Sequence, residues 1–332
     1  MPVTWPLAPN NNASFMTFSI ILLVVGLGLL VGGGEWLVRG ASSIALRLRL
    51  SPLVVGLTIV AFGTSAPELF ISVRAALAGS PDLAMGNVIG SNICNLALVL
   101  GVTAVITPVP VRKDSMRIDW PMTMGASLLL YLVVRDNLIN WPEGLLFVSI
   151  LITYTYLIIR KSRRETKSAE ELAAELDIPA PTASLGKDLL LIGVGTAGLA
   201  FGSNWFVDGA QDLAIAFGVS ERVVGITVLA LGTSLPELVT AGIAAVKKET
   251  DIALGNLMGS NIFNILSILG ITSLIASIRV NDVIIHSDMI WMLLITFLIL
   301  PMMLYRRVVQ RLEGAILLAI YVYYIYSVVS PG

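Results

Sequence analysis

Apolar residues in this chain occur in long stretches, separated by short segments that hold most of the charged residues. Residues 20–31, for example, contain only Ile, Leu, Val and Gly. A helix of about 20 apolar residues is long enough to cross the hydrocarbon core of a bilayer. The pattern predicts ten such helices. We place them near residues 17–46, 52–78, 83–107, 118–135, 143–160, 188–217, 221–246, 252–277, 286–305 and 311–329.

The composition is also that of a membrane-embedded chain. Hydrophobic residues make up 56% of the 332 residues and charged residues 13%, whereas a soluble domain carries about 25% charged residues. We therefore expect an all-α integral membrane protein whose main partner is the lipid bilayer. The net charge of −1 gives no reason to expect nucleic acid, and no obligate protein partner is evident. Cys94 is the only cysteine, so an intramolecular disulfide is excluded.

The chain contains an internal repeat. Adding 169 to a residue number aligns residues 33–111 with residues 202–280 without a gap, and 34 of these 79 positions are identical. Such self-similarity indicates a duplication. We assign residues 17–160 to the first repeat and residues 188–329 to the second, joined by a linker at residues 161–187. The most similar blocks are residues 52–107 and 221–277.

Each repeat holds five predicted helices, and an odd number makes the second repeat cross the membrane in the opposite direction to the first. The Lys and Arg residues support this topology through the positive-inside rule. If the linker is cytoplasmic, 17 of the 21 Lys and Arg residues lie on the cytoplasmic side. The other four are Arg74, Arg135, Arg222 and Arg279. We therefore predict two inverted five-helix repeats in the inner cell membrane, with both termini outside, and such transporters bind substrate near the midplane.

One motif interrupts the second helix of each repeat: GTSAPE at residues 63–68 and GTSLPE at residues 232–237. Proline removes a backbone donor, and glycine weakens a helix, so the helix is predicted to break here. Ser65 and Glu68 also fit a helix-capping box, which is the structural alternative. However, a charged side chain near the bilayer centre costs about 2.5–3.5 kcal/mol on insertion scales. No Lys or Arg lies at this depth, so a bound cation is the better explanation.

A second motif follows in the next helix of each repeat, at residues 86–95 and 255–264. Ser91 and Asn95 are four residues apart, as are Ser260 and Asn264, so each pair shares a helix face. The Gly-x-x-x-Gly spacing within each motif is explained by close helix packing. Packing does not explain the amides and serines. Together the motifs offer oxygen ligands and no paired His or Cys, which predicts a hard cation such as Ca²⁺ or Na⁺.

These paired motifs resemble the two alpha repeats of the sodium/calcium exchanger family, within the calcium/cation antiporter superfamily. The resemblance covers nearly the whole chain and is strongest to short prokaryotic exchangers. It implies that the long helices at 17–46 and 188–217 slide across the core. The Ca²⁺ ligands that it implies are Glu68 and Glu237 with the carbonyl groups of Thr64 and Thr233. The implied Na⁺ sites add Ser65, Ser91, Ser234 and Ser260 and the carbonyl groups of Ala61 and Ala230, with Asn95 and Asn264 flanking the centre.

Two sequence differences from other branches of the superfamily narrow the expected transport activity. Potassium-dependent relatives, and some prokaryotic ones, carry Asp at the position of Asn264, so we expect a K⁺-independent protein. Cation/proton exchangers carry an acidic residue inside the second motif, where this chain has Val88, Ile89, Leu257 and Met258. The expected function is therefore antiport of Ca²⁺ against Na⁺, without enzymatic activity and without a cofactor other than the transported ions. Ca²⁺/H⁺ exchange is the main alternative, and a cation channel and an intramembrane enzyme are weaker ones.

Overall fold

The structure, a computed structural model, describes residues 12–165, 184–217 and 232–329. These residues are almost entirely helical. We label the helices in chain order: α1 (Asn12–Leu48), α2 (Pro52–Thr64), α3 (Ala66–Leu77), α4 (Pro81–Ile106), α5 (Trp120–Val133), α6 (Trp141–Glu165), α7 (Leu185–Ala216), α8 (Leu235–Val246), α9 (Thr250–Ile275), α10 (Ile284–Leu304) and α11 (Arg311–Val329).

The helices confirm the predicted all-α membrane fold. Within the described residues, seven helices are long and apolar enough to cross a membrane, and the bent pair α2–α3 is an eighth when it is counted as one span. Helix α5, extended at its start by a π-helical turn at Ser115–Asp119, occupies the predicted fourth position. The seventh predicted helix, at 221–246, is described from residue 232 onward, where it includes α8. Most of the predicted linker, residues 166–183, lies outside the described ranges.

Two short strand pairs tie the repeats together between the helices. Strand β1 (Val109–Pro110) pairs antiparallel with β4 (Val308–Val309). Strand β2 (Leu138–Ile139) pairs antiparallel with β3 (Ile278–Arg279). Each pair joins one segment of the first repeat to one of the second, so backbone hydrogen bonds fix the relative position of the two repeats.

Helices α4 and α9, which carry the second motif, form the centre of the bundle. In their most apolar stretches 72% and 78% of the residues are buried, against 22–39% in the other membrane-length helices. The peripheral helices instead expose large apolar side chains such as Phe70, Leu132 and Ile152. An exposed apolar surface of this kind suits contact with lipid. The polar motifs therefore lie in the most enclosed part of the molecule.

Helices α1 and α7 pack against each other along their length through glycines spaced seven residues apart. A Cβ atom on Gly33 would lie 2.7 Å from the backbone nitrogen of Leu199, and one on Gly202 would lie 2.8 Å from that of Leu30. Gly26 and Gly195 make equally close approaches. Small residues allow such backbone contact between membrane helices. The two helices thus form one closely packed pair.

Polar contacts attach α1 to the loop that follows α8. The Glu35 Oε1 atom lies 2.6 Å from Lys247 Nζ, and the Ser42 hydroxyl donates to the Glu249 carboxylate. Burial raises the pKa of the Glu249 carboxyl, although its bond to Ser42 and the charge of Lys247 favour the ionised form. This latch, defined as the Glu35–Lys247 and Ser42–Glu249 contacts, has no equivalent in sequence in the other repeat. The positions 169 residues away hold Asn204, Gln211, Ala78 and Ser80.

The glycine packing predicts that Gly33→Ala destabilises the protein while the adjacent Gly32→Ala does not. A Cβ atom on Gly32 meets no atom within 4 Å, whereas on Gly33 it would force the two backbones apart. Overpacking of this kind costs roughly 1–3 kcal/mol. Thermal unfolding of both variants in detergent measures the difference. Equal midpoints for the two variants would contradict the proposed close packing of α1 and α7.

Candidate cation site

The first motif breaks its helix as predicted. Helix α2 ends at Thr64, α3 begins at Ala66, and their axes differ by 46°. Ser65 lies between them, and Pro67 occupies the first turn of α3, where its missing N–H group costs nothing. In the second repeat α8 begins in the same way after Ser234, with Pro236 in its first turn. The sequence therefore creates a helix N-terminus inside each GTSxPE motif.

The capping-box alternative is contradicted by the side-chain contacts. Ser65 and Ser234 both stand at N-cap positions, yet neither side chain bonds the backbone of the helix that it precedes. Ser65 Oγ instead donates to Glu237 Oε1 across the repeat interface, at 3.2 Å. The two serines are therefore free to serve a site formed by both repeats.

Glu68 and Glu237 are fully buried, each in the first turn of its helix. Helix N-termini favour negative charge. Glu237 Oε1 also accepts a hydrogen bond from Ser260 Oγ at 3.4 Å, but Glu237 Oε2 and both carboxylate oxygens of Glu68 have no partner. Within the described ranges, no Lys or Arg forms an ion pair with either glutamate.

Helices α4 and α9 widen into π-helical turns at the level of the second motif. The π turns span Cys94–Val99 and Asn264–Leu269, so that Asn95 and Asn264 lie within them. Such turns are rare in helices and occur frequently at functional sites. The two turns are related by the repeat, and the sequence analysis did not predict them.

Four asparagines cross-link the two repeats through these turns. Asn95 Nδ2 donates to Asn261 Oδ1 at 3.3 Å, and Asn264 Nδ2 donates to Asn92 Oδ1 at 3.1 Å. The two bonds are related by the 169-residue offset. Each uses the nitrogen of the expected site residue and leaves its oxygen, Asn95 Oδ1 or Asn264 Oδ1, without a partner.

Thr64 and Ala61, unlike the glutamates, have hydrogen-bond partners for their oxygen atoms in this structure. The buried Thr64 Oγ1 atom lies 3.1 Å from Asn256 Oδ1 and 3.3 Å from the Ala61 carbonyl oxygen. The same carbonyl accepts the backbone N–H of Ser65 at 2.9 Å, and the single Thr64 hydroxyl proton can be donated either to it or to Asn256. Thr233 is partly buried. Ala230 lies outside the described residues.

Unpartnered buried oxygens mark the centre of the site. Buried polar atoms in folded proteins almost always have a hydrogen-bond partner, yet seven oxygens of the expected site residues have none. They are Glu68 Oε1, Glu68 Oε2, Ser91 Oγ, Ser234 Oγ, Asn95 Oδ1, Glu237 Oε2 and Asn264 Oδ1. Ca²⁺ takes 6–8 oxygen ligands, and a cation would also offset the two carboxylate charges. The donor set therefore fits a hard cation as substrate.

The structure also brings in residues that the sequence analysis left unassigned. Asn92 and Asn261 lie in the second motif, but only the structure shows that they hold Asn264 and Asn95. Asn256 contacts Thr64, and Asn87 Nδ2 donates to Ser72 Oγ at 3.0 Å. The sequence carried one signal for these residues. Asn87 and Asn92 of the first repeat align with Asn256 and Asn261 of the second at the 169-residue offset.

Comparison with known proteins finds relatives along nearly the whole chain. The family model described as sodium/calcium exchanger protein matches residues 18–160 and 187–329. The chain is 39% identical to a putative antiporter, CaxA, of Alkalimonas amylolytica, over 95% of this chain and 100% of that protein. It is 29% identical to the sodium/calcium exchanger MaX1 of Methanosarcina acetivorans, over 92% of this chain and 97% of that protein.

Solved structures give the same result. A structure of the sodium-calcium exchanger NCX_Mj, soaked without Na⁺ or Ca²⁺, superposes with a TM-score of 0.80 at 30% sequence identity. The match covers 94% of this chain and 99% of that one. The ten-helix inverted repeat predicted here is consistent with that fold. The family model, which matches most of the chain, together with these relatives shows that the chain belongs to the sodium/calcium exchanger family.

Proposed function

We propose that this protein exchanges Ca²⁺ for Na⁺ across the cell membrane by alternating access, without a requirement for K⁺. The observation that carries the proposal is the pair of fully buried carboxylates, one from each repeat, that no cationic side chain neutralises among the described residues. NCX_Mj and MaX1, which are named as sodium–calcium exchangers, support Na⁺ as the counter-ion.

The charge of the site explains why exchange would be coupled. Two carboxylates in a low-dielectric environment repel each other strongly when no cation is present. One Ca²⁺ or a pair of Na⁺ ions removes the net charge, so the loaded protein can change conformation while the empty protein is penalised. A site that moves only when loaded performs antiport rather than free flow.

We assign ligands on the same basis. Glu68 and Glu237 carry the charge for both ions, and the carbonyl groups of Thr64 and Thr233 complete the Ca²⁺ site. The serines at positions 65, 91, 234 and 260 are neutral oxygen donors suited to Na⁺. Asn264 is uncharged, which leaves two carboxylates at the centre and supports K⁺ independence.

The coupling ion can be tested in proteoliposomes. Loading the vesicles with Na⁺ and diluting them into Na⁺-free buffer should drive uptake of radioactive calcium. The uptake should persist with a proton ionophore present and should not change when K⁺ is added. Uptake that needs a pH gradient and ignores the Na⁺ gradient would instead favour Ca²⁺/H⁺ exchange, and current without a counter-ion would favour a channel.

Removing either central charge should abolish exchange. Glu68→Gln and Glu237→Gln each keep the size of the side chain but leave one negative charge, too little to balance Ca²⁺. Glu143→Gln is the matched control, because the Glu143 carboxylate accepts from the backbone N–H of Asn140 at a helix start, and an amide oxygen can do the same. Substantial Na⁺-driven calcium uptake by either site variant would refute the assigned ligands.

Acid should inhibit uptake. Protons compete with cations for the two carboxylates, and each proton bound removes one of the charges that hold Ca²⁺. Initial uptake rates should therefore be lower at about pH 5.5 than at about pH 8, and raising the Ca²⁺ concentration should partly restore them. The comparison uses equal pH on both sides of the vesicle. Identical rates at the two pH values would show that the carboxylates do not exchange protons with solvent during transport.

A further inference from the structure

Asn264 raises a problem of orientation that a carboxylate would not. An amide side chain has one oxygen, which can bind a cation, and one NH₂ group, which repels a cation. The two ends have nearly the same shape, so packing alone does not choose between them. A protein that uses Asn264 as a cation ligand therefore needs a neighbour that selects the oxygen.

We propose that Asn92 is that positioning residue: it holds the Asn264 amide so that the oxygen stays available to the transported cation. The proposal rests on the proposed function and adds the Asn264 amide oxygen to the cation ligands assigned there. Asn92 and Asn264 come from different repeats, and both are buried. Asn264 Nδ2 donates to Asn92 Oδ1 at 3.1 Å, and Asn264 Oδ1 has no partner.

The orientation of Asn92 is itself determined by its surroundings. Asn92 Nδ2 lies 3.4 Å from the backbone carbonyl oxygen of Asn261 and 3.7 Å from Met292 Sδ. A carbonyl oxygen and a thioether sulfur accept hydrogen bonds and cannot donate them. Asn92 must therefore direct its nitrogen to these atoms and its oxygen to Asn264. A fixed backbone carbonyl thus sets the orientation of Asn264 through one intermediate side chain.

The second asparagine pair, Asn95 and Asn261, shows part of the same arrangement. Asn95 Nδ2 donates to Asn261 Oδ1, and Asn95 Oδ1 is unpartnered. However, Asn261 Nδ2 has no acceptor, so nothing equivalent to the Asn261 carbonyl fixes the orientation of Asn261. The two repeats therefore control their amides unequally, and Asn92 is the residue whose loss should be measurable.

A carboxylate at position 264 provides the decisive comparison. Both ends of a carboxylate are oxygens, so its orientation needs no selection. Replacing Asn92 should therefore impair a protein with Asn264 but should have little effect on one with Asp at this position. A residue that only supported the packing of α4 against α9 would matter in both backgrounds.

The test measures the half-saturating Na⁺ concentration and the maximal rate of Na⁺-driven calcium flux in proteoliposomes. The variants are Asn92→Leu, Asn264→Leu, Asn264→Asp and the combinations of Asn92→Leu with each substitution at 264. Asn92→Leu should raise the half-saturating concentration roughly threefold or more, as expected for a lost charge-dipole contact. Asn264→Leu should raise the half-saturating concentration to a similar degree, and combining it with Asn92→Leu should raise it no further. In the Asn264→Asp background, Asn92→Leu should change the half-saturating concentration by less than about twofold.

Met289→Leu is the matched control, because Met289 is buried on the same helix as Met292, the substitution conserves volume, and Met289 is not among the atoms that accept from Asn92. It should retain the half-saturating concentration of the unaltered protein. Asn92→Ala, which adds no atoms to the site, is carried through the same comparison in case Asn92→Leu does not fold. An equal effect of the Asn92 substitutions in the Asn264 and Asp backgrounds, or none in either, would overturn the proposal.

The outcomes separate the two claims. If the unaltered protein shows no Na⁺-driven calcium flux, the proposed function fails. If that flux is present but Asn264→Leu leaves it unchanged, Asn264 is not a ligand and only the positioning role of Asn92 fails.

Discussion

The structure depends on one electrostatic constraint: Glu68 and Glu237 are buried in the middle of a membrane protein, and within the described ranges no basic side chain pairs with them. Burying unpaired charges is costly unless the surroundings or a bound ion compensates. Helices α3 and α8 supply two N-termini, and the serines supply hydroxyl groups. The tightly packed centre, formed by α4 and α9, excludes the side chains that would otherwise bind these oxygens. The missing partner is then the transported ion.

The two carboxylates are equivalent in sequence but not in this conformation. Glu237 accepts hydrogen bonds from Ser65 and Ser260, whereas the corresponding serines, Ser234 and Ser91, do not bond Glu68. The site is therefore symmetric in its residues and asymmetric in its contacts. In an inverted repeat, exchanging the roles of the two halves would transfer these contacts from one glutamate to the other.

Much of this arrangement could be predicted from the sequence because it is encoded locally or by the repeat. The apolar stretches gave the helices to within a few residues, and the glycine and proline of each GTSxPE motif gave the break before Glu68. The π turns at Asn95 and Asn264 and the pairing of Asn264 with Asn92 could not be predicted. They arise where α4 crosses α9, and a contact between repeats leaves no periodic signal in either. The contact between Thr64 and Asn256 could not be predicted either, because it also joins the two repeats.

The latch between α1 and the loop after α8 affects the relative populations of the conformations between transport events. For a transporter that works by alternating access, two identical inverted repeats would give inward-facing and outward-facing states of equal free energy. The Glu35–Lys247 and Ser42–Glu249 contacts break this equality, because their counterparts at Asn204 and Ala78 and at Gln211 and Ser80 cannot form the same bonds. A partly exposed ion pair contributes about 0–1 kcal/mol, enough to bias the two populations several-fold. Divergence between the repeats thus makes the two resting populations unequal, while the ion gradients set the direction of net flux.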